Sequence, residues 1–249
     1  RNACYLAYVR PENTIYLVND AGTQILQPGL VLNGSGSIAN SQCTILGAGS
    51  SASSSGPDLT LQIRIQFKAP LAGNRILYLA ARDNGGSNSG WHPLGVWSAP
   101  GGPATSPAVG PASPARYSGA TQTITFAFSD SNGWTDLEIL NVLINNGLDG
   151  VNACYLAYVR SANTVYLVND AGSALLPGVT LTSGASTSNS QCTVDTAASI
   201  VSGSGNTLTL ILRITLKDTL LGNRIVYGAA RDAAHNNSGW AAVATWTMP

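Results

Sequence analysis

The 249 residues carry a formal charge of zero, and Asp, Glu, Lys and Arg make up only 10% of them, against about 25% in an ordinary soluble domain. Zero net charge excludes the electrostatic footprint expected of a nucleic-acid or anionic-membrane binder. The polar surface must therefore be built from Ser, Thr, Asn, Gln and Gly, which suits strands and turns, while 44% hydrophobic residues are ample for a core. No apolar run approaches the ~18 residues of a membrane-spanning helix. The chain opens on Arg1 and its sole methionine is Met248, as expected of a processed product or a piece of something longer.

Read in chain order, the pattern is β throughout and it repeats. Asn2–Arg10 (N-A-C-Y-L-A-Y-V-R) recurs unchanged as Asn152–Arg160, Tyr16–Gly22 (Y-L-V-N-D-A-G) as Tyr166–Gly172, and Asn40–Thr44 (N-S-Q-C-T) as Asn189–Thr193. Gly73–Ile76, Ala80–Asp83 and Asn88–Trp91 recur as Gly222–Ile225, Ala229–Asp232 and Asn237–Trp240. The offset is 150 before a one-residue deletion near Gln27 and 149 after it. Such self-similarity marks a tandem array. The first copy spans residues 1–99, with Leu59–Phe67 as its clearest strand. Because Arg1 aligns with Val151, this copy is expected to lack its opening strands.

Residues 100–118 hold spaced prolines and read as a semi-extended spacer without a core of its own. Residues 119–249 read as a complete second copy. Thr121–Phe128 alternates Ile124, Phe126 and Phe128 with Thr123, Thr125 and Ala127, the period of two of a half-buried strand. Leu137–Ile144, Cys154–Val159, Thr164–Val168, Val179–Leu181, Leu208–Leu216, Arg224–Ala230 and Ala242–Thr247 follow, separated by Asn- and Gly-rich turns. Seven or eight short strands in roughly 130 residues is an immunoglobulin-type count. The predicted fold is all-β, two tandem Ig-like antiparallel sandwiches.

The run T-F-x-F-S-D-x-N-G-x-x-D-L, then N-A-C-Y-L-A-Y, L-V-N-D-A-G, N-S-Q-C-T and A-A-R-D-x-x-x-N-N-S-G-W resembles the Ig-like β-sandwich tandem repeats of secreted and surface proteins of bacteria. The resemblance covers Thr125–Pro249 in full and Asn2–Pro100 in part. It implies an extracellular, multi-domain context without a defined ligand.

Cys4 and Cys43 are 39 residues apart, and Cys154 and Cys192 are 38 apart. Each copy should close independently, so the pairs expected are Cys4–Cys43 and Cys154–Cys192. Loops of that length contribute about 3–4 kcal/mol each, and disulfides predict an oxidising, extracellular or cell-surface location. A catalytic site intrinsic to the repeat should occur twice. The duplicated ionisable residues are Arg10/Arg160, Asp20/Asp170, Arg64/Arg213, Lys68/Lys217, Arg75/Arg224, Arg82/Arg231 and Asp83/Asp232. No His, Glu or thiol is among them, and Asp in N-D-A-G or R-D-N-G contexts caps turns through its own side chain. No catalytic residue is expected, and the chain is not read as an enzyme.

Asp130, Asn132 and Asp136 alternate ahead of and around Gly133, as oxygen ligands do in calcium loops. The other reading of these residues is an Asn-Gly turn joining two strands. Calcium is the one cofactor entertained. Trp91, Trp134 and Trp240 are the aromatic side chains expected nearest the surface, where they could stack on sugars. These features predict a structural or adhesive extracellular module, a building block of a stalk or filament assembled by strand complementation with copies of itself or neighbouring repeats. The alternative is a carbohydrate-binding module for polysaccharide; nucleic acid and membrane insertion are not expected.

Overall fold

The computed structural model describes residues 1–99 and 106–249. The first stretch forms β1 (Leu6–Val9), β2 (Thr14–Leu17), β3 (Leu30–Val31), β4 (Ser37–Ala39), β5 (Cys43–Ser55), β6 (Asp58–Phe67), β7 (Gly73–Leu79) and β8 (His92–Ala99). The second forms β9 (Ala108–Val109), β10 (Arg116–Ser118), β11 (Thr121–Ser129), β12 (Leu137–Asn145), β13 (Cys154–Val159), β14 (Thr164–Leu167), β15 (Val179–Thr180), β16 (Ser186–Ser188), β17 (Cys192–Ser204), β18 (Thr207–Leu216), β19 (Gly222–Asp232) and β20 (Ala241–Met248). Helical structure among the described residues is confined to short 3-10 turns. The protein is all-β, and the described residues fall into two compact units, 1–73 with 98–99, and Asn74–Trp97 with 106–249.

The larger unit is a sandwich of a seven-stranded sheet, β10-β20-β19-β12-β13-β14-β15, and a five-stranded sheet, β16-β17-β18-β11-β9. β11 and β18 pair without a break from Thr121↔Thr215 to Ser129↔Thr207. Period-two alternation then sends Ile124, Phe126, Phe128, Leu208, Leu210, Leu212 and Ile214 to one face, where all are buried. Leu140, Val142, Ile144, Leu156, Tyr158, Val226 and Trp246 close over them from the other sheet. Each fully buried side chain of this size contributes about 1.5–3 kcal/mol. Two of the buried aromatics have their polar tips satisfied: Tyr158 donates its hydroxyl to Asn163 Oδ1 at 3.0 Å, and the Trp246 indole N–H donates to the Gly119 carbonyl at 2.6 Å.

Two three-stranded sheets, β1-β2-β3 and β4-β5-β6, make the smaller unit. They enclose a modest core of Ile15, Leu17, Leu30, Leu32, Cys43 and Ile45. The expected bridges are formed in both copies, Cys4–Cys43 with Cα atoms 5.6 Å apart and Cys154–Cys192 with 5.4 Å. Among the described residues no helix is long and apolar enough to cross a membrane.

Part of the expected spacer is folded. Residues 100–105 lie outside the described residues. Beyond them β9 pairs with β11, β10 runs parallel to β20, and Ala112 and Tyr117 are buried in the core. Both short strands are sheet edges, the positions where proline is tolerated because no inner ladder loses a donor. The spaced prolines therefore mark edge strands from Pro107 onward. The pattern also concealed β5 and β17, each 13 residues long. They are rich in Ser, Ala and Gly, and register shifts between Leu46 and Ser51 and between Asp195 and Ile200 break their alternation.

The β7–β8 hairpin belongs to the first copy by sequence yet packs within the larger unit. Ile76 and Val96 lie against Leu143, Ala153, Ile225, Tyr227 and Ala242 on the outer face of the seven-stranded sheet. Asn74 fixes the contact by accepting the Ala242 N–H at 2.9 Å and donating to the Ala242 carbonyl at 2.5 Å.

The unequal cores give a direct expectation. Leu212→Ala in the closed core should cost about 3 kcal/mol, whereas Ile63→Ala at the equivalent, half-exposed position should cost under about 1.5 kcal/mol. Urea unfolding of the two variants, followed on the transition of each unit, checks this.

Candidate functional site

The duplicated motifs converge on one polar cluster per copy. Asn189 is buried, and its amide nitrogen donates to the Ala153 carbonyl at 3.0 Å and the Val168 carbonyl at 3.1 Å. Its side-chain oxygen accepts the N–H groups of Gln191 and Cys192, both at 2.9 Å, and its own carbonyl accepts Lys217 Nζ at 2.5 Å. Asn40 repeats every one of these bonds with Ala3, Val18, Gln42, Cys43 and Lys68. One side chain thus ties together the segments N-A-C, L-V-N-D and N-S-Q-C beside each disulfide. Asp20 accepts the Ser41 N–H and hydroxyl, and Asp170 accepts the Ser190 N–H. The duplicated residues spend their hydrogen bonds on the chain itself.

Asp130 and Asp136, two of the three residues of the sequence-derived cation loop, do come together, and the structure adds Asp232 from the end of β19. One carboxylate oxygen from each of Asp130, Asp136 and Asp232 lies within 4.8 Å of the others. Gly133, at φ 107°, permits the reversal that brings Asp136 back beside Asp130. Asp232 is carried in by strand pairing, since Leu137 is its partner across the β12–β19 ladder. Asn132 plays a different part: its main-chain N–H caps Asp130 Oδ1 at 2.8 Å, and its amide donates to Asp136 Oδ2 at 3.2 Å. Asp130 and Asp232 are 2% and 1% exposed, and Asp130 Oδ2 is buried without a hydrogen-bond partner.

The three tryptophans occupy distinct settings. Trp134 is half-buried, its ring lying where a Cβ on Gly203 would sit, with the Arg160 guanidinium 6.0 Å from the ring centroid. Trp240 meets Tyr155 edge-on at 5.7 Å. Trp91 is 57% exposed. Trp134 therefore serves as a cover for the Gly203 backbone, and Trp240 turns an edge contact toward its neighbour. A polar groove of about 810 Å³ lies elsewhere on the larger unit, lined by Asn146, Asp149, Gln191 and Arg224 among others. Arg224 donates to Asn146 Oδ1 at 2.6 Å there, and burial lowers its pKa.

No protein-family model, curated protein or solved structure matches the chain.

If the Asn189 cluster holds the bridge region together, Asn189→Ala should destabilise the larger unit by at least about 2 kcal/mol, because several buried main-chain groups lose their partner. Asp170→Ala, at a partly exposed turn, should cost under about 1 kcal/mol. Thermal unfolding with the disulfides intact reads both.

Proposed function

We propose that the chain is a non-enzymatic extracellular structural repeat, a building block of a surface stalk or filament, whose first copy accepts strands from a neighbouring repeat. The observation that carries this reading is the contrast between equivalent positions in the two homologous copies. Leu59, on β6 of the smaller unit, is 45% exposed, whereas its counterpart Leu208 is fully buried; Leu77, on the β7–β8 hairpin that packs within the larger unit, is 55% exposed against a fully buried Val226. In the second copy β11 pairs with β18 and β12 pairs with β19; β6 and β7 are the equivalents of β18 and β19. A strand pair patterned like residues 119–150 supplies both main-chain ladders and the missing apolar cover.

Open strand edges recruit strands, and β-strand addition joins main-chain pairing to side-chain pockets. A contact of this kind is heterologous, so when it does not close on itself it builds a filament. Two disulfides in an all-β chain fit an oxidising environment, and a charge-poor Ser/Thr/Asn surface suits an extracellular stalk. The repeated Asp and Asn side chains cap turns and brace the bridges, which supports a structural role over chemistry for the motifs.

The test compares the chain alone with a fusion carrying residues 119–150 ahead of Arg1. Light scattering should show the mass of the unfused chain rising with concentration, while the fusion stays monomeric and its first unit melts at higher temperature. A concentration-independent monomer whose first unit is as stable as in the fusion contradicts strand acceptance.

A further inference from the structure

Beyond this structural role, we propose that Asp130, Asp136 and Asp232 form a Ca²⁺ site that locks the β11–β12 turn onto the end of β19. Three carboxylates lie within 4.8 Å of one another, two of them nearly sealed from solvent. Like charges at that distance repel strongly once water is excluded. Among the described residues no Lys, Arg or His forms an ion pair with any of the three. The nearest cation on the same strand, Arg231, is engaged by Glu138 at 3.0 Å.

Asp130 Oδ1 is occupied by the Asn132 N–H, but Oδ2 has no partner although it is buried. An unpaired buried carboxylate oxygen is costly, and beside two further carboxylates a cation that takes oxygen ligands relieves both the unmet oxygen and the repulsion. Asp232 takes N–H donors from Asn236 on both of its oxygens, at 2.7 Å each, which orients the carboxylate and leaves a lone pair on each oxygen for a metal. Asn132 likewise donates to one oxygen of Asp136, Oδ2, at 3.2 Å.

Ca²⁺ binds oxygen at about 2.3–2.6 Å, so ligands on opposite sides of it are at most about 4.6–5.2 Å apart. The observed limit of 4.8 Å accommodates that sphere. Main-chain carbonyls and water make up the remainder of the six to eight ligands that the ion takes.

The first copy supplies an internal control. Asp83, the counterpart of Asp232, is exposed and simply caps its own turn by accepting the Ser87 N–H at 2.8 Å. The Asp at this position therefore serves the turn in both copies, and only the second adds the two further carboxylates.

Calorimetry on the full 249-residue chain, titrated with CaCl₂ after EDTA treatment and dialysis, should find one site. Ca²⁺ at a hundred times its Kd should raise the Tm of the larger unit by about 5 °C or more and leave the smaller unit unchanged. Asp130→Asn and Asp232→Asn should each weaken Ca²⁺ at least ten-fold. In EDTA, Asp130→Asn should match or exceed the wild-type Tm, because it removes repulsion and its new amide can donate to Asp136 or Asp232. A carboxylate that merely caps the turn gives the opposite sign. Where a buried variant fails to fold, the less buried Asp136→Asn gives the same reading of affinity. The proposal is overturned by any of three results: no wild-type response at millimolar Ca²⁺, undiminished binding in the folded variants, or an equal response to Mg²⁺ at the same concentration.

Discussion

A buried asparagine side chain is the interaction around which each copy is arranged. Asn189 and Asn40 saturate their amide hydrogen-bonding capacity on main-chain groups from three separated segments. The disulfide adjoins these contacts, since Ala153 precedes Cys154 and Cys192 itself donates to Asn189. A neutral side chain with two donors and an acceptor can be fully satisfied in a dry site where an ionised one would carry a desolvation cost. The lysine ammonium then reaches the asparagine carbonyl from the residue just after the following strand pair. Bridge, asparagine and lysine together fix where the N-A-C strand meets the N-S-Q-C turn, and the two sheets are built outward from that junction.

Around an identical junction the copies diverge in how much apolar surface they can close. The larger unit has strands on both sides of β18 and β19, and its interior side chains vanish from solvent. The smaller unit brings the same kind of row, Leu59, Leu61, Ile63, Ile65 and Phe67, to a face that it covers only in part. Covering that row is what would drive the proposed strand acceptance, since hydrophobic stabilisation scales with the area removed from water.

Much of this architecture was legible in the residues because alternation and duplication are local signals. β13 runs from Cys154 to Val159 as its pattern predicts, and β11, β12, β18 and β20 differ from expectation by a residue or so at their ends. The strands that escaped notice lack the apolar alternation that reveals a strand: β5 and β17 interrupt theirs with bulges, and β9 and β10 are too short and proline-flanked to show one. The acidic cluster was half legible. Asp130 and Asp136 share a loop and are found by spacing, but Asp232 joins them through the β12–β19 ladder, almost a hundred residues away in the chain. Its duplicate, Asp83, gave the wrong hint, because in the first copy the same residue only caps a turn. The role of Asn189 was equally hidden, since its partners are main-chain atoms that no side-chain motif specifies.

If the first copy is an incomplete sandwich built on a complete junction, native-state hydrogen exchange on the chain reads that state residue by residue. Amides of β6 and β7 should exchange orders of magnitude faster than their equivalents in β18 and β19, while those of Cys43 and Gln42, held by Asn40, stay protected. Equal protection of β6 and β18 would mean that the first copy closes its core without further strands, and the account would be wrong.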